Sequence, residues 1–293
     1  MAGQLKEVRN RIKSVQSTQQ ITKAMKMVSA AKLRRAQDSI IQMRPYAKKL
    51  QEMLTNIVSN SEGGSGMNLA VERPVERVLF ITITSDRGLC GAYNSNLTKL
   101  TRATIAEKYP EQFKKGNVTI WSIGKKGFEH FQKNKFNAVD TYKDILLHLS
   151  FENVQAAAQA AMKAFEEKQF DVVELVYSQF KNAATQRFEV ERFLPIPKVQ
   201  KKAGATKADF IYDPSQDQLI NELMPKILNT QLYKAVLDAN ASEHGARMTA
   251  MDKASENANE ILRALRISYN RARQAAITTE LTEIVSGAAA LQG

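Results

Sequence analysis

The last eighty residues carry the pattern that most constrains this chain. From Pro214 to the end, the interior breakers are Pro225 and two isolated glycines, Gly245 and Gly287. Within this stretch Met251, Ala254, Ala258, Ile261, Leu265, Ser268, Ala272 and Ala275 recur at alternating steps of three and four. That is the spacing of a coiled-coil seam. It predicts helix almost throughout, roughly 110 Å long at a rise of 1.5 Å per residue. Its small seam residues let a partner helix approach closely. A rod of that length can bury one stripe against its own chain. The rest must meet another protein or water.

The opposite end has a similar pattern. Residues 5–59 hold no glycine and one proline, Pro45. Leu5, Val8, Ile12 and Val15 again alternate by three and four. The phase then slips, and Ile21, Met25 and Val28 continue the stripe on a shifted register. Such a slip changes local supercoil without breaking a helix. Pro45 is expected to kink or interrupt the helix, because its ring clashes with the preceding turn. Three glycines in residues 59–66 end it.

Between these helices, short β-branched and aromatic runs alternate with helical patterns. Residues 78–84, 118–123 and 172–177 read as strands, and 187–193 as a further one. Residues 94–109, 125–133 and 151–167 read as helices. That alternation implies βαβ units and a largely parallel sheet. The fold class is therefore α/β: long N- and C-terminal helices form an antiparallel coiled coil around an inserted Rossmann-like α/β domain. The expected domains are residues 1–60, 76–197 and 209–293, with a basic, glycine-containing linker at 198–208.

Charge is unevenly placed. The net charge is +12, yet residues 1–50 hold twelve bases against Glu7 and Asp38. Such a segment suits a polyanion, an anionic membrane surface or an acidic protein, or is a solvated helix face. Nucleic acid is the alternative reading, a basic coiled-coil binding protein. Tyr46 is the only aromatic in the segment, which leaves little for base stacking. A lone cysteine, Cys90, excludes an internal disulfide and fits a reducing compartment. No apolar run approaches the ~18 residues of a membrane span, and the first residues carry no secretory signal.

Few motifs point to chemistry. Ser85-Asp86-Arg87-Gly88-Leu89-Cys90-Gly91-Ala92 follows a strand and precedes a helix, where a Rossmann domain binds phosphate. Its glycines give only G-x-x-G, and no G-x-x-x-x-G-K-[ST] occurs. The segment reads as a tight strand-to-helix turn. His130, His148 and His244 are scattered, without metal-ligand spacing. Glu280 and Glu283 share one helix face, which fits a solvated face better than acid–base work.

Three stretches resemble the gamma subunits of F-type ATP synthases of bacterial type. They are IKSVQSTQQITKAMKMVSAAKLRRAQ at 12–37, SDRGLCGAYN at 85–94, and ITTELTEIVSGAAA at 277–290 preceded by EHGARMTAM at 243–251. In the last, Ile277, Thr278, Glu280, Glu283, Gly287 and Ala288 fill the places of the family signature. The resemblance runs from end to end in the right order.

The resemblance implies a central-stalk rotor. It couples rotation of the c ring to ATP synthesis or hydrolysis on the beta subunits, with no catalytic site or cofactor of its own. The implied partners are the alpha, beta, epsilon and c-ring subunits. The implied location is peripheral, on the cytoplasmic face of the bacterial inner membrane, with membrane association indirect through the c ring. By motif, Met25, Lys26, Arg247, Gln274, Thr278 and Glu280 are expected to contact the ring around the shaft. Ile284, Val285 and Leu291 belong to a bearing tip. Arg44, Tyr46 and Tyr212 lie in the foot near the c ring. Lys26 stands where some relatives carry an acid. The cysteine pair of chloroplast relatives is absent, so their redox control is not expected.

Overall fold

The computed structural model describes residues 2–60, 68–183, 185–196 and 216–292. The elements are α1 (Ala2–Asn60), β1 (Val78–Ile83), α2 (Tyr93–Lys108), α3 (Pro110–Lys114), β2 (Val118–Ile123), α4 (Lys125–Lys133), β3 (Asn137–Val139), α5 (Phe151–Glu166), β4 (Val172–Phe180), β5 (Gln186–Leu194) and α6 (Gln216–Gln292). They pack into two compact units. One joins the first 29 residues to Met248–Gly293, and the other is Ala30–Arg247. The linker at 198–208 and Tyr212 lie outside the described residues.

In the larger unit, a five-stranded sheet has the order β3-β2-β1-β4-β5. β1 pairs in parallel with both β2 and β4, while β5 closes the edge antiparallel to β4. β1 is buried along its whole length, because helices cover both faces. Leu79, Ile81 and Ile83 point to one face, with Val173, Leu175, α5 and Met224–Ala239 of α6. Val78 and Phe80 point to the other, with Leu97 and Ile105 of α2 and Phe131 of α4. The period-two strand pattern therefore sorts the core into two layers. One charge lies inside the second layer. Glu174, 1% exposed, accepts bonds from Tyr109 Oη at 2.7 Å and its cross-strand partner Arg192 Nε at 3.1 Å. A buried carboxylate needs such pairing.

Pro45 does not interrupt its helix, since α1 runs unbroken through it. The missing amide leaves the carbonyl of Ile41 without its helical donor. Ile41 is exposed, so water can satisfy that carbonyl. The phase slip after Val15 is also absent. The buried and half-buried stripe in the smaller unit is Leu5, Val8, Ile12, Val15, Gln19, Thr22, Lys26 and Ser29, with Met25 at its flank. Three-four alternation continues, but through polar residues, and Ile21 and Val28 point outward at 57% exposed each. On α6 the stripe is Met251, Ser255, Ala258, Leu262, Leu265, Tyr269, Ala272, Ala276 and Thr279, with Asp252 and Ala254 half-buried at its flanks. Three of the eight expected seam positions are thus one residue off. Ile261, Ser268 and Ala275 face solvent, and Ser255, Leu262 and Tyr269 take the inner positions.

Candidate functional site

In the smaller unit, cross-helix bonds fix an antiparallel register. Arg9 Nη2 donates to Tyr269 Oη at 3.0 Å, with the guanidinium over the ring at 5.8 Å. Gln19 Nε2 donates to Asn259 Oδ1. Thr22 Oγ1 and Ser255 Oγ are hydrogen-bonded at 2.7 Å. Lys26 Nζ pairs with Asp252 Oδ1 at 2.5 Å. Of these, only the Thr22–Ser255 layer is buried; the Gln19–Asn259 bond is exposed and Lys26 and Asp252 lie half exposed, beside the buried Met251, Ala258 and Leu262. A polar layer costs stability relative to an apolar one but specifies register. Several apolar residues lie on the outside, with Ile21, Met27, Val28, Ile261 and Ile267 all exposed. Exposed apolar residues gathered in this way mark a surface that works against something else.

The same register sets Ala2 level with Ala276, so Ile277–Gln292 has no described α1 residue beside it. That overhang is about 24 Å at 1.5 Å per residue. Ile277, Leu281, Ile284 and Val285 are exposed along it, and the side chains of Gln274, Thr278 and Glu280 are exposed too. Thr278 Oγ1 donates back to the carbonyl of Gln274 at 2.9 Å. Leu291 is helical, and its side chain lies outside the described residues. So the structure sets Thr278, Glu280, Ile284 and Val285 on the overhang with Gln274 exposed just before it, and places Lys26 against Asp252 with Met25 at the flank of the stripe.

Arg247 lies in the larger unit, where its bonds are internal. Its Nε donates to Glu243 Oε1 at 3.0 Å, and Nη2 pairs with the same carboxylate. Nη1 and Nη2 also donate to the carbonyls of Gly88 and Arg87, the latter at 3.1 Å. The second resemblance motif is thereby clamped to α6. Inside that motif Ser85 Oγ donates to Arg87 O at 2.7 Å, and Asn94 Nδ2 donates to Ser85 Oγ at 2.7 Å. Gly91 takes φ +62°, which only glycine adopts without strain. Tyr93 Oη donates to the carbonyl of Ala239 at 2.9 Å, and burial pushes its phenol well above the ordinary range. Burial also raises the Asp86 carboxyl.

These contacts lie at the carboxyl ends of β1 and β4, where the strand order reverses. Open α/β sheets bind ligands in that crevice. Here α6 occupies it. Ser242 Oγ donates to Ser178 O at 3.1 Å, and a Cβ on Gly245 would lie 3.1 Å from the carbonyl of Ala183. His244 lies beside them, with its side chain 13% exposed. Its Nδ1 stands 3.6 Å from Glu243 Oε2. Burial lowers its pKa below the ordinary 6.5, and Lys32 and Arg247 add to that while Glu243 opposes it.

Tyr46 is exposed, and Arg44 is helical with its side chain outside the described residues. Sequence reasoning missed Gln19, Thr22, Asp252, Ser255, Asn259 and Glu243. Gln19 and Thr22 were findable by carrying the alternation past Val15 without demanding apolar residues. Glu243 was findable from its i,i+4 spacing to Arg247 on one helix face. Among the described residues no helix is long and apolar enough to cross a membrane, and no cluster of His, Cys, Asp and Glu could hold a metal ion.

Comparison with known proteins places this architecture. The family model described as ATP synthase matches residues 4–291. The ATP synthase gamma chain of Cytophaga hutchinsonii is 52% identical over 290 residues, covering 98% of each chain. That of Chlorobium phaeobacteroides is 47% identical over 291 residues, covering 99% of each. Among solved structures, a chain of the Euglena gracilis mitochondrial ATP synthase (OSCP/F1/c-ring, rotational state 3) has a TM-score of 0.67 at 21% identity. The match covers 99% of this chain and 95% of that one. A chain of the Tetrahymena thermophila central stalk and c ring scores 0.57 at 22% identity, over 80% and 99%. The fold is shared with these structures, and the chain belongs to the ATP synthase gamma-chain family.

Proposed function

We propose that this chain is the central-stalk rotor of an ATP synthase, turning with a c ring and steering the beta subunits without a catalytic site of its own. The observation that carries this reading is the helix pair of the smaller unit. It leaves Ile21, Met27, Val28, Ile261 and Ile267 exposed, and its C-terminal overhang has no partner among the described residues. Such a rod suits a close-fitting ring. The expected partners are alpha, beta, epsilon and c-ring subunits, the last forming the only link to a membrane. Its place is then the cytoplasmic face of the bacterial inner membrane.

The mechanism follows from asymmetry. A ring of repeated subunits around one helix pair presents each beta subunit with a different face of that pair. A contact shifts a conformational equilibrium only if it differs between the conformers. A shift from 1:99 to 99:1 needs about 5.5 kcal/mol of difference. Two to four charged hydrogen bonds of ~1.5–3 kcal/mol each supply that. Met25 and Lys26 on α1, and Gln274, Thr278 and Glu280 at and before the overhang, are the candidates. Ile284, Val285 and Leu291 serve the bearing tip. Arg44, Tyr46 and Tyr212 serve the foot. Arg247 acts either on the ring or through the loop it clamps.

The absence of an own catalytic site is supported by α6 in the switch-point crevice, where a nucleotide would otherwise sit. Purification through a tag on this chain should recover ATPase alpha and beta subunits. Recovery of nucleic acid in their place would overturn the rotor reading in favour of the basic coiled-coil alternative.

A further inference from the structure

We propose that a cleft between α1 and α6 in the smaller unit binds a phosphoryl oxyanion, a diphosphate group best, on Arg263 and Arg266. Such a site is independent of the rotor reading.

The cleft encloses about 300 Å3. That is the lower end of the range for small-ligand sites. Leu262, 5% exposed, lies at its base, and the exposed Ile267 stands at its rim. The rest of its lining is polar and contains no carboxylate. Arg263 and Arg266 each follow an inward residue, Leu262 and Leu265, by one position. They therefore share one flank of α6, with Cβ atoms ~5–6 Å apart. Among the described residues neither guanidinium has an ion pair or a hydrogen-bond partner, not even Glu260 three positions before Arg263. α1 brings Gln16 and Gln19 to the same cleft, and Asn259 and Asn270 bracket the arginines along α6. Gln19 Nε2 donates to Asn259 Oδ1, which leaves the Asn259 amide hydrogens to donate elsewhere.

Two guanidiniums one turn apart fit two linked anionic centres. Each planar fork can give a pair of bonds to one of them. A single carboxylate would satisfy one fork and leave the other unused. A phosphoryl group carries up to two negative charges and three acceptor oxygens. Its tetrahedral oxygens can also accept from carboxamides on a second helix, which a planar acceptor does less well. The cleft is open to water, so binding must weaken with salt, as the Debye length is about 8 Å at 0.15 M ionic strength. Arg271 and Arg273 supply an internal comparison. They are exposed on the same helix and do not line the cleft.

Titration of the full chain with inorganic pyrophosphate, followed by NMR at the arginine Nε–Hε groups and at constant low ionic strength, tests this. The signals of Arg263 and Arg266 should shift together and saturate, with a dissociation constant on the order of 1 mM or tighter. Those of Arg271 and Arg273 should stay in place. Arg263→Lys with Arg266→Lys keeps the charge, loses both forks, and should weaken binding ~10-fold. Arg271→Lys with Arg273→Lys should change nothing. Shifts that do not saturate, or that are equal at all four arginines, overturn the site in favour of a diffuse ion atmosphere. So does a cleft lysine variant that binds as tightly as the unmodified chain. Phosphate should bind more weakly than pyrophosphate, because it spans only one fork, and equal affinity would overturn the two-fork geometry. ADP separates the two sources of a diphosphate. Binding equal to that of pyrophosphate assigns the cleft to a nucleotide's phosphates, and silence assigns it to the inorganic ion, both on a saturable site.

Discussion

Replacing Arg247 by alanine separates a structural role from a contact role. In the structure the guanidinium gives two bonds to Glu243 and two to the carbonyls of Arg87 and Gly88. The side chains of Arg247 and Glu243 are 12% and 11% exposed, so solvent screens their pairing little. Removing one partner of a buried pair typically costs 3–5 kcal/mol, because the other charge stays buried. The lower end applies, since His244 Nδ1 stands 3.6 Å from Glu243 Oε2 and can supply a proton. At about 2–4 °C per kcal/mol for a domain of this size, Arg247→Ala should lower the Tm of the larger unit by about 6–12 °C. The double variant Glu243→Gln with Arg247→Met removes both charges and should recover most of that loss. Arg247→Lys should fall between, having no planar fork to span two carbonyls and a carboxylate. Calorimetry of the free chain near neutral pH reads all three. A drop below about 2 °C for Arg247→Ala, where some 6 °C is expected, would refute the clamp. So would a double variant no more stable than the single.

Three further outcomes are expected. His244 is held neutral by burial, so its folded pKa lies below the 6.5 of the free side chain. The unfolded chain then binds more protons, and its contribution to stability is full above about 6.5 and lost as pH falls from there toward the folded value. His244→Gln should flatten this part of the pH–stability curve, and an unchanged slope would assign it to His130, whose pKa is also lowered by burial. Asp252→Asn should change the Tm of the free chain little, because Lys26 and Asp252 are 41% and 47% exposed and such pairs contribute ~0–1 kcal/mol. Its effect should show instead in proton pumping by the assembled enzyme. Removing residues 288–293 should cost little torque, while cutting back past Thr278 should cost much more. ATP-driven rotation across a truncation series checks this, and complete loss from the short deletion would contradict a passive tip.

Strands and helices were legible wherever side-chain chemistry was uniform. The run Val78 to Ile83 is β-branched and aromatic and could be little else. β3 escaped notice because Asn137, Ala138 and Val139 are only three residues with no period to read. The seam was misread for a physical reason. Hydrophobic periodicity locates the apolar face, and that face is the inner one only when a helix pair has no other partner. At Thr22 and Ser255 the inner face is polar, and at Ile21 and Ile261 the apolar face is outer. The site at Glu243, His244 and Arg247 depends on α6 meeting a loop more than 150 residues earlier. No local pattern encodes such a meeting.

The segment of α6 that fills the switch-point crevice acts as a keyed joint. A rod can carry a twisting load only if its root cannot spin in its socket, and directional off-axis contacts add to what side-chain packing already resists. Ser242 on Ser178, Gly245 against Ala183, and Arg247 on the carbonyls of Arg87 and Gly88 are off-axis contacts spread over less than two turns of helix. Each lies to one side of the helix axis, so turning α6 about that axis must break or compress them together. The crevice that other sheets of this topology keep open for a ligand is spent on locking an angle. The sheet behind it, buried on both faces, gives the lock a rigid wall.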